Sequence, residues 1–314
     1  MKVIGITEFG GPDALAIHEV EEPHAGPGEV RIRVRAFAVS PTDAGVRAGG
    51  RDLSQAGEPP YVPGMDAAGV VDEVGEGVTQ WQTGDEVMAI ALPLRGHGGA
   101  YMQVLVAPVD SIARIPTGTS LEEASTIPMN GLTAVQILEK AGLSAGQTLL
   151  VTGAPGLLGN YLVQLAEQQG ITVIADAADK DRALVESLGA DHIVPRGDEF
   201  VAAVQAIAPH GVDAIADTAL LHEQAVPLLR DGGVFLAVRG WQGDGTPGIR
   251  FEQAMVFDEY HSQAKLDRLR QAVEDGVLTP RVSEVLAASE PGAAADAHRR
   301  LEAGGTRGRF VLTW

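Results

Sequence analysis

The sequence predicts an α/β protein of two domains, a β-rich, partly open barrel and a doubly wound parallel sheet. Three observations carry this expectation. Up to about residue 120, turn signals recur between short Val, Ile and Ala runs, as at Gly26-Pro27-Gly28, Pro59-Pro60, Pro63-Gly64 and Gly84-Asp85. From Thr148 to about Val238, apolar strand runs alternate with helical patterns. A glycine-rich turn joins the first of those runs to the first of those helices.

In the first part, Val30, Ile32 and Val34 alternate with Arg31, Arg33 and Arg35, the period of a strand with one buried and one wet face. The arginines are assigned to solvent. Ser40-Pro41-Thr42-Asp43 has the residues of a turn. Near Glu122 the texture changes to longer helical patterns, and Leu149–Thr152 is the first strand of the alternating region. Leu158, Tyr161, Leu162, Leu165 and Ala166 then repeat at helical spacing, and Ile171–Ile174 is the second strand. Leu184 and Leu188 lead to Gly189 as a helix stop, with further strands at His192–Val194 and Val212–Ala216. Residues 241–248 are a loop by composition, Gln263–Glu274 is helical, and Phe310–Leu312 is a returning strand. One domain is therefore built from both ends, residues 1–122 and 262–314, with residues 123–261 inserted as the nucleotide-binding domain.

The glycine turn carries the chemistry. Gly153, Gly156 and Gly159 are spaced so that the chain turns sharply, approaches a pyrophosphate and packs its helix on its strand. The helix would then aim free N–H groups, including those of Leu157 and Leu158, at the anion. Asp176 closes the next strand seventeen positions after Gly159, where a carboxylate reaches a ribose 2′-hydroxyl and favours NADH. Lys180 and Arg182 follow closely and suit the 2′-phosphate of NADPH, so the residues leave both cofactors open.

Composition excludes several classes. At 45% hydrophobic and 21% charged, a chain of 314 residues can bury two cores. It contains no cysteine, which rules out disulfides, thiolate metal sites and a cysteine nucleophile. Its net charge of −19 repels nucleic acid and anionic membrane surfaces, and neither is expected as a partner. The apolar run before Glu8 is too short for a signal peptide and no run approaches a membrane span, which suggests a cytoplasmic protein.

Pro63-Gly64-Met65-Asp66-Ala67-Ala68-Gly69-Val70-Val71, Gly84-Asp85-Glu86-Val87, Gly98-Gly99-Ala100-Tyr101, Gly131-Leu132-Thr133-Ala134, the glycine turn, Ser187-Leu188-Gly189-Ala190-Asp191 and Gly308-Arg309-Phe310-Val311 follow one another in order. In these the chain resembles the medium-chain dehydrogenase/reductase superfamily, and within it the zinc-independent quinone oxidoreductase group. The resemblance implies a GroES-like barrel, a Rossmann domain and hydride transfer from NADPH or NADH, with NADPH usual in that group. It also implies that Thr133 and Arg309 join Gly153, Gly156, Leu157, Leu158, Gly159, Asp176 and Lys180 in holding the cofactor.

The departures from the wider superfamily select the chemistry. Zinc alcohol dehydrogenases carry cysteine where this chain has Ser40, and histidine and glutamate where it has Met65 and Asp66. A hydroxyl and a thioether do not replace thiolate and imidazole for Zn²⁺, so no metal is expected. The small-molecule partner expected is then an already polarised electrophile, a quinone or an α,β-unsaturated carbonyl. Ser40, Thr42 and Tyr61 are the candidates to hold the acceptor oxygen or supply a proton. Asp43 is read as a structural hydrogen-bond partner, Arg47 as a partner of Asp66 or a solvent-facing residue, and His97 as exposed. The other histidines, His298 among them, show no ligand spacing. Asn and Tyr, usual in the quinone reductases, are replaced by Ser40 and Gly45, which keeps two alternatives: an enoyl-thioester reductase and a non-catalytic dinucleotide-binding redox sensor. A homodimer is expected through sheet extension near residues 233–238, and loops 44–60 and 241–256 are read as lining the acceptor pocket.

Overall fold

The computed structural model describes residues 1–52, 54–93 and 97–314. Leu53, inside the 44–60 loop, lies outside them. In chain order the elements are β1 (Lys2–Gly5), β2 (Ala16–Glu19), β3 (Glu29–Ala38), α1 (Pro41–Arg47), β4 (Asp66–Val74), β5 (Glu86–Ile90), β6 (Val104–Pro108), β7 (Ile112–Arg114), α2 (Leu121–Ala124) and α3 (Pro128–Ala141). There follow β8 (Thr148–Thr152), α4 (Leu157–Gln168), β9 (Thr172–Asp176), α5 (Arg182–Ser187), β10 (His192–Val194), α6 (Phe200–Ile207), β11 (Val212–Asp217), β12 (Leu229–Ala237) and β13 (Arg250–Gln253). The chain ends with α7 (Gln263–Glu274), β14 (Val282–Ala287), α8 (Ala293–Ala303) and β15 (Arg309–Thr313).

Two compact units result. One comprises residues 1–129, 260–275 and 280–314, the other residues 130–259 and 276–279. In the first, seven strands form one sheet in the order β14-β15-β3-β4-β5-β7, with β6 also on β3. β3 organises it. One of its edges pairs with β4, and the other takes β6 over Glu29–Arg33 and β15 over Ala36–Ala38. Two register shifts against β4 bend the strand, as bulges do, so that it serves both neighbours. Val30, Ile32 and Val34 point into the core, as their alternation predicts. Arg31 and Arg33 are not loose on the wet face: Arg31 Nε and Arg33 Nη2 both donate to Asp72, at 2.8 and 2.7 Å.

The second unit is a six-stranded parallel sheet in the order β10-β9-β8-β11-β12-β13, doubly wound from β8 outward in both directions. The order reverses between β8 and β11, the position where such sheets bind ligands at their carboxyl ends.

Three readings of the sequence need correction. Pro41–Arg47 is a helix and not a turn, because Ser40 at the N-cap, Pro41 at the first helical position and Asp43 at the third form a capping arrangement. Residues 250–253, inside the stretch read as a loop, form β13, which pairs with β12 from Val234 to Ala237. That strand covers the edge through which sheet extension was expected, so residues 233–238 are interior and β13 is the edge.

Candidate active site

At the carboxyl end of β8 the three glycines do three different jobs. Gly153 takes φ +73°, and a Cβ there would lie 2.5 Å from Thr218 Oγ1. Gly159 lets α4 seat on the turn, since its Cβ would meet the Gly153 carbonyl oxygen at 2.4 Å. Gly156 is the N-cap of α4, with ordinary φ −73° and no side chain to cap the helix. The first amides of α4, those of Leu157, Leu158 and Gly159, therefore have neither an intrahelical acceptor nor a capping side chain. With a helix of 12 residues behind them, they suit a pyrophosphate. Leu157 is buried and Leu158 half-buried, so their backbones rather than their side chains face this role.

The neighbouring strand end is fastened to the turn. Thr152 Oγ1 donates to Asp217 Oδ1 at 2.6 Å, and Thr218 Oγ1 donates to the Thr152 carbonyl at 2.6 Å. Asp217 also accepts the amides of Leu221 and His222 at 3.0 and 2.8 Å. Leu220, His222 and Arg239, just past β11 and β12, hold φ of 62°, 51° and 61°. Backbone strain in non-glycine residues clusters at ligand sites. The sequence offered no sign of it.

Asp176 closes β9 as expected, but it does not stand alone. The Ala154 amide donates to its Oδ1 at 3.0 Å, and Arg196 meets its Oδ2 through Nε at 2.8 Å. Lys180 is exposed in the turn Asp179–Asp181, and Arg182 donates to the Ile193 carbonyl. Thr133 is buried in α3.

In the other unit, Ser40 lies two residues past β3 as the N-cap of α1, and Thr42 sits half-buried in the first turn of that helix. Behind them is a buried polar cluster that the sequence reading assembled only in part. Asp43 accepts the Ser40 amide at 2.7 Å, the Gly64 amide at 3.0 Å and the Tyr101 hydroxyl at 3.3 Å. Tyr101 Oη in turn lies 3.0 Å from His298 Nε2. Burial raises the Asp43 carboxyl to about 6 against these donors. Burial, aided by the nearby Arg47 charge, lowers His298 to about 3, so its imidazole is neutral. Asp43 is thus the structural partner that its position suggested.

Asp66 accepts the Met129 amide at 2.6 Å and is raised by burial to about 7, although the Met129 amide and the Arg309 charge both favour its ionised form. Arg47 neither holds Asp66 nor faces solvent: it is buried and pairs with Glu302 of α8 at 2.5 Å. Tyr61 exchanges backbone hydrogen bonds with Ile6 and stacks its ring on Phe9, with centroids 6.0 Å apart. His97 is exposed, with Nε2 3.2 Å from Glu29.

Comparison with known proteins fits this geometry. Residues 26–117 match the alcohol dehydrogenase GroES-like domain, and residues 188–312 match a zinc-binding dehydrogenase domain. An alcohol dehydrogenase of Geobacillus stearothermophilus is 31% identical over 76% of this chain and 77% of its own. The chain belongs to the medium-chain dehydrogenase/reductase superfamily. Within this superfamily of oxidoreductases it is similar to the 2-haloacrylate reductase of a Burkholderia species, at 29% identity over 98% of this chain and 97% of that protein. It also matches the human synaptic vesicle membrane protein VAT-1 homolog-like, 32% identical over 69% of this chain; the match spans 50% of that relative's length. No helix among the described residues is long and apolar enough to cross a membrane.

Two solved superfamily structures superpose over all of this chain. The quinone oxidoreductase of Coxiella burnetii does so with a TM-score of 0.86 at 26% identity, over 99% of its own chain. A mycobacterial protein complexed with NADPH does so with a TM-score of 0.85 at 25% identity, over 100% of its own. The zinc named in one matched domain does not fit the residues present. Ser40 and Met65, both fully buried, offer a hydroxyl and a thioether where thiolate and imidazole are needed. Among the described residues, no group of three or more His, Asp or Glu side chains is placed to hold a metal ion.

Proposed function

We propose that the chain is a metal-free, NAD(P)H-dependent reductase that delivers hydride to a quinone or an α,β-unsaturated carbonyl. The observation that carries this reading is the donor set at the end of β3. Ser40, just past that strand, and Met65, just before β4, supply no ligands for a Lewis acid, while the hydroxyls of Ser40 and Thr42 remain two positions apart in the sequence. Hydrogen bonds from hydroxyls stabilise charge on an acceptor that is already polarised, and they do little for an unactivated alcohol.

The α4 amides and the glycine turn hold the pyrophosphate, Asp176 meets the adenosine ribose, and Lys180, exposed in the turn after β9, flanks it on the solvent side. Thr133 and Arg309 complete the cofactor contacts on the family pattern. The dinucleotide, once bound, supplies hydride from its nicotinamide ring. The protein's own part is to orient that ring, bind the acceptor oxygen through Ser40 and Thr42 as charge collects on it, and pass it a proton. Tyr61 is a second proton source within this reading. The Burkholderia relative's name supports a conjugated acceptor, since an acrylate is one, and the quinone oxidoreductase structure supports the quinone arm. A homodimer built by sheet extension would join through β13.

The test is a panel of quinones, enones, enoyl-CoA thioesters and saturated aldehydes, followed by NADH or NADPH consumption. Turnover of enones or quinones, with saturated aldehydes left unreduced, is the expected result. Exclusive turnover of enoyl-CoA would move the reading to a thioester reductase, and saturable cofactor binding with no turnover at all would refute it.

A further inference from the structure

We infer that Arg196 decides which nicotinamide dinucleotide this chain accepts, and that its pairing with Asp176 makes the site tolerant of both. The inference rests on the reading that a dinucleotide binds at the glycine turn. Its starting point is that the carboxylate expected to select NADH is already engaged. Asp176 and Val194 are partners in the parallel register of β9 and β10, so Arg196 leaves its strand two residues past that level, at the same carboxyl end of the sheet.

The geometry is that of a covered charge. Asp176 Oδ1 accepts the Ala154 amide at 3.0 Å, which fixes the carboxylate to the phosphate-binding turn itself. Arg196 Nε faces Oδ2 at 2.8 Å and Nη2 donates to Oδ1 at 3.4 Å. The Asp176 side chain is 4% exposed and that of Arg196 40%, so the guanidinium is the solvent-side member of the pair. A bare carboxylate here would repel a 2′-phosphate. Paired with a permanent cation, its net charge is zero, and that repulsion is largely cancelled.

The same pair can meet either ribose. A 2′-hydroxyl donates to Asp176, with Arg196 left in place. A 2′-phosphate takes charge-assisted hydrogen bonds from Arg196, whose planar fork carries five N–H donors, of which Nε and Nη2 face Asp176. Other cations are less well placed: Lys180 lies out in the exposed turn and Arg182 points at the Ile193 carbonyl. Arg196 has no counterpart in the glycine-turn pattern, which ends at the acidic residue, so motif reading passes over it.

Fluorescence titration of NADH and NADPH, needing no acceptor, tests this. Wild type should bind both with affinities within about tenfold of each other. Arg196→Gln should weaken NADPH by about tenfold or more, the loss of one charge-assisted hydrogen bond, while NADH binding is retained and reports an intact fold. Arg196→Lys should lie between the two, and Asp176→Asn should weaken NADH and spare NADPH. A wild-type preference beyond about a hundredfold for either cofactor overturns the inference, as does an equal loss of both cofactors in Arg196→Lys. Wild type that binds neither would remove the dinucleotide reading and this inference together, whereas wild type that binds both with a ratio insensitive to residue 196 removes only the inference.

Discussion

Tyr101 Oη lies 3.0 Å from His298 Nε2, although 197 positions separate the two residues, and both are fully buried. The same hydroxyl reaches Asp43, so one phenol links the helix that carries Thr42 to the C-terminal helix α8. Two proton arrangements satisfy it. With Asp43 ionised, Tyr101 donates to the carboxylate and accepts from His298. With Asp43 protonated, the direction reverses and His298 Nε2 accepts. Tyr101→Phe keeps the ring packed on Phe37, whose centroid is 4.7 Å away, but leaves two buried groups without a shared partner. We expect a loss of about 1–3 kcal/mol in denaturant unfolding, with Cm shifted and m unchanged.

The titration of this cluster has a defined sign. His298 is depressed to about 3, so below its unfolded value, about 6.5, the unfolded chain takes up a proton that the folded chain refuses. Its contribution to stability is complete above pH 6.5 and is lost as pH falls towards 3. Asp43 and Asp66, raised to about 6 and about 7, act oppositely: their contribution is complete below about pH 4 and is lost as pH rises through those values. On going from pH 7 to pH 5, His298 costs up to about 2 kcal/mol, and the two aspartates, whose raised values span that window, act in the opposite direction by at least as much. His298→Gln should therefore retain more of its stability at pH 5, relative to pH 7, than wild type does. Unfolding curves at the two pH values check this, and identical pH dependence in the two proteins would contradict it.

Gly159 and Gly156 should separate folding from binding. Gly159→Ala puts a Cβ 2.4 Å from a backbone oxygen that cannot yield, so it should unfold at markedly lower denaturant. Gly156→Ala has a permitted φ and meets only the Gly153 oxygen, at 3.2 Å. Its stability should change by less than about 1 kcal/mol, while dinucleotide affinity falls as the methyl group crowds the helix N-terminus.

Thr42→Val should leave cofactor affinity unchanged and lower kcat by about 10²–10³, the range for removing one donor to a developing oxyanion. Ser40→Ala confounds two effects, since Ser40 is also the N-cap of α1, and it should cost stability of about 1 kcal/mol as well. A Thr42→Val enzyme with full kcat would take Thr42 out of the site.

Much of this was legible in the residues. The alternation of Val30, Ile32 and Val34, the strand–glycine–helix run at 148–168 and the Gln263–Glu274 helix report local periodicity, and they stand where the pattern puts them. β13 was hidden because its four residues, Arg250–Gln253, carry little hydrophobic signal and depend on β12 for pairing. α1 was misread because Ser-Pro-Thr-Asp suits turns as well as helix starts, although the capping pattern was there to be seen. The Asp176–Arg196 and Tyr101–His298 pairs were not legible, since only strand order and tertiary packing decide which side chains meet across such separations.

The most direct test of the central claim is the fate of the transferred hydride. Metal-depleted protein, with zinc quantified by mass spectrometry, would be given a cyclic enone and NADH or NADPH deuterated at C4 of the nicotinamide. Turnover should be undiminished, with deuterium at the β-carbon of the saturated ketone. Deuterium at the carbonyl carbon, or activity that disappears with the metal and returns with added Zn²⁺, would contradict it.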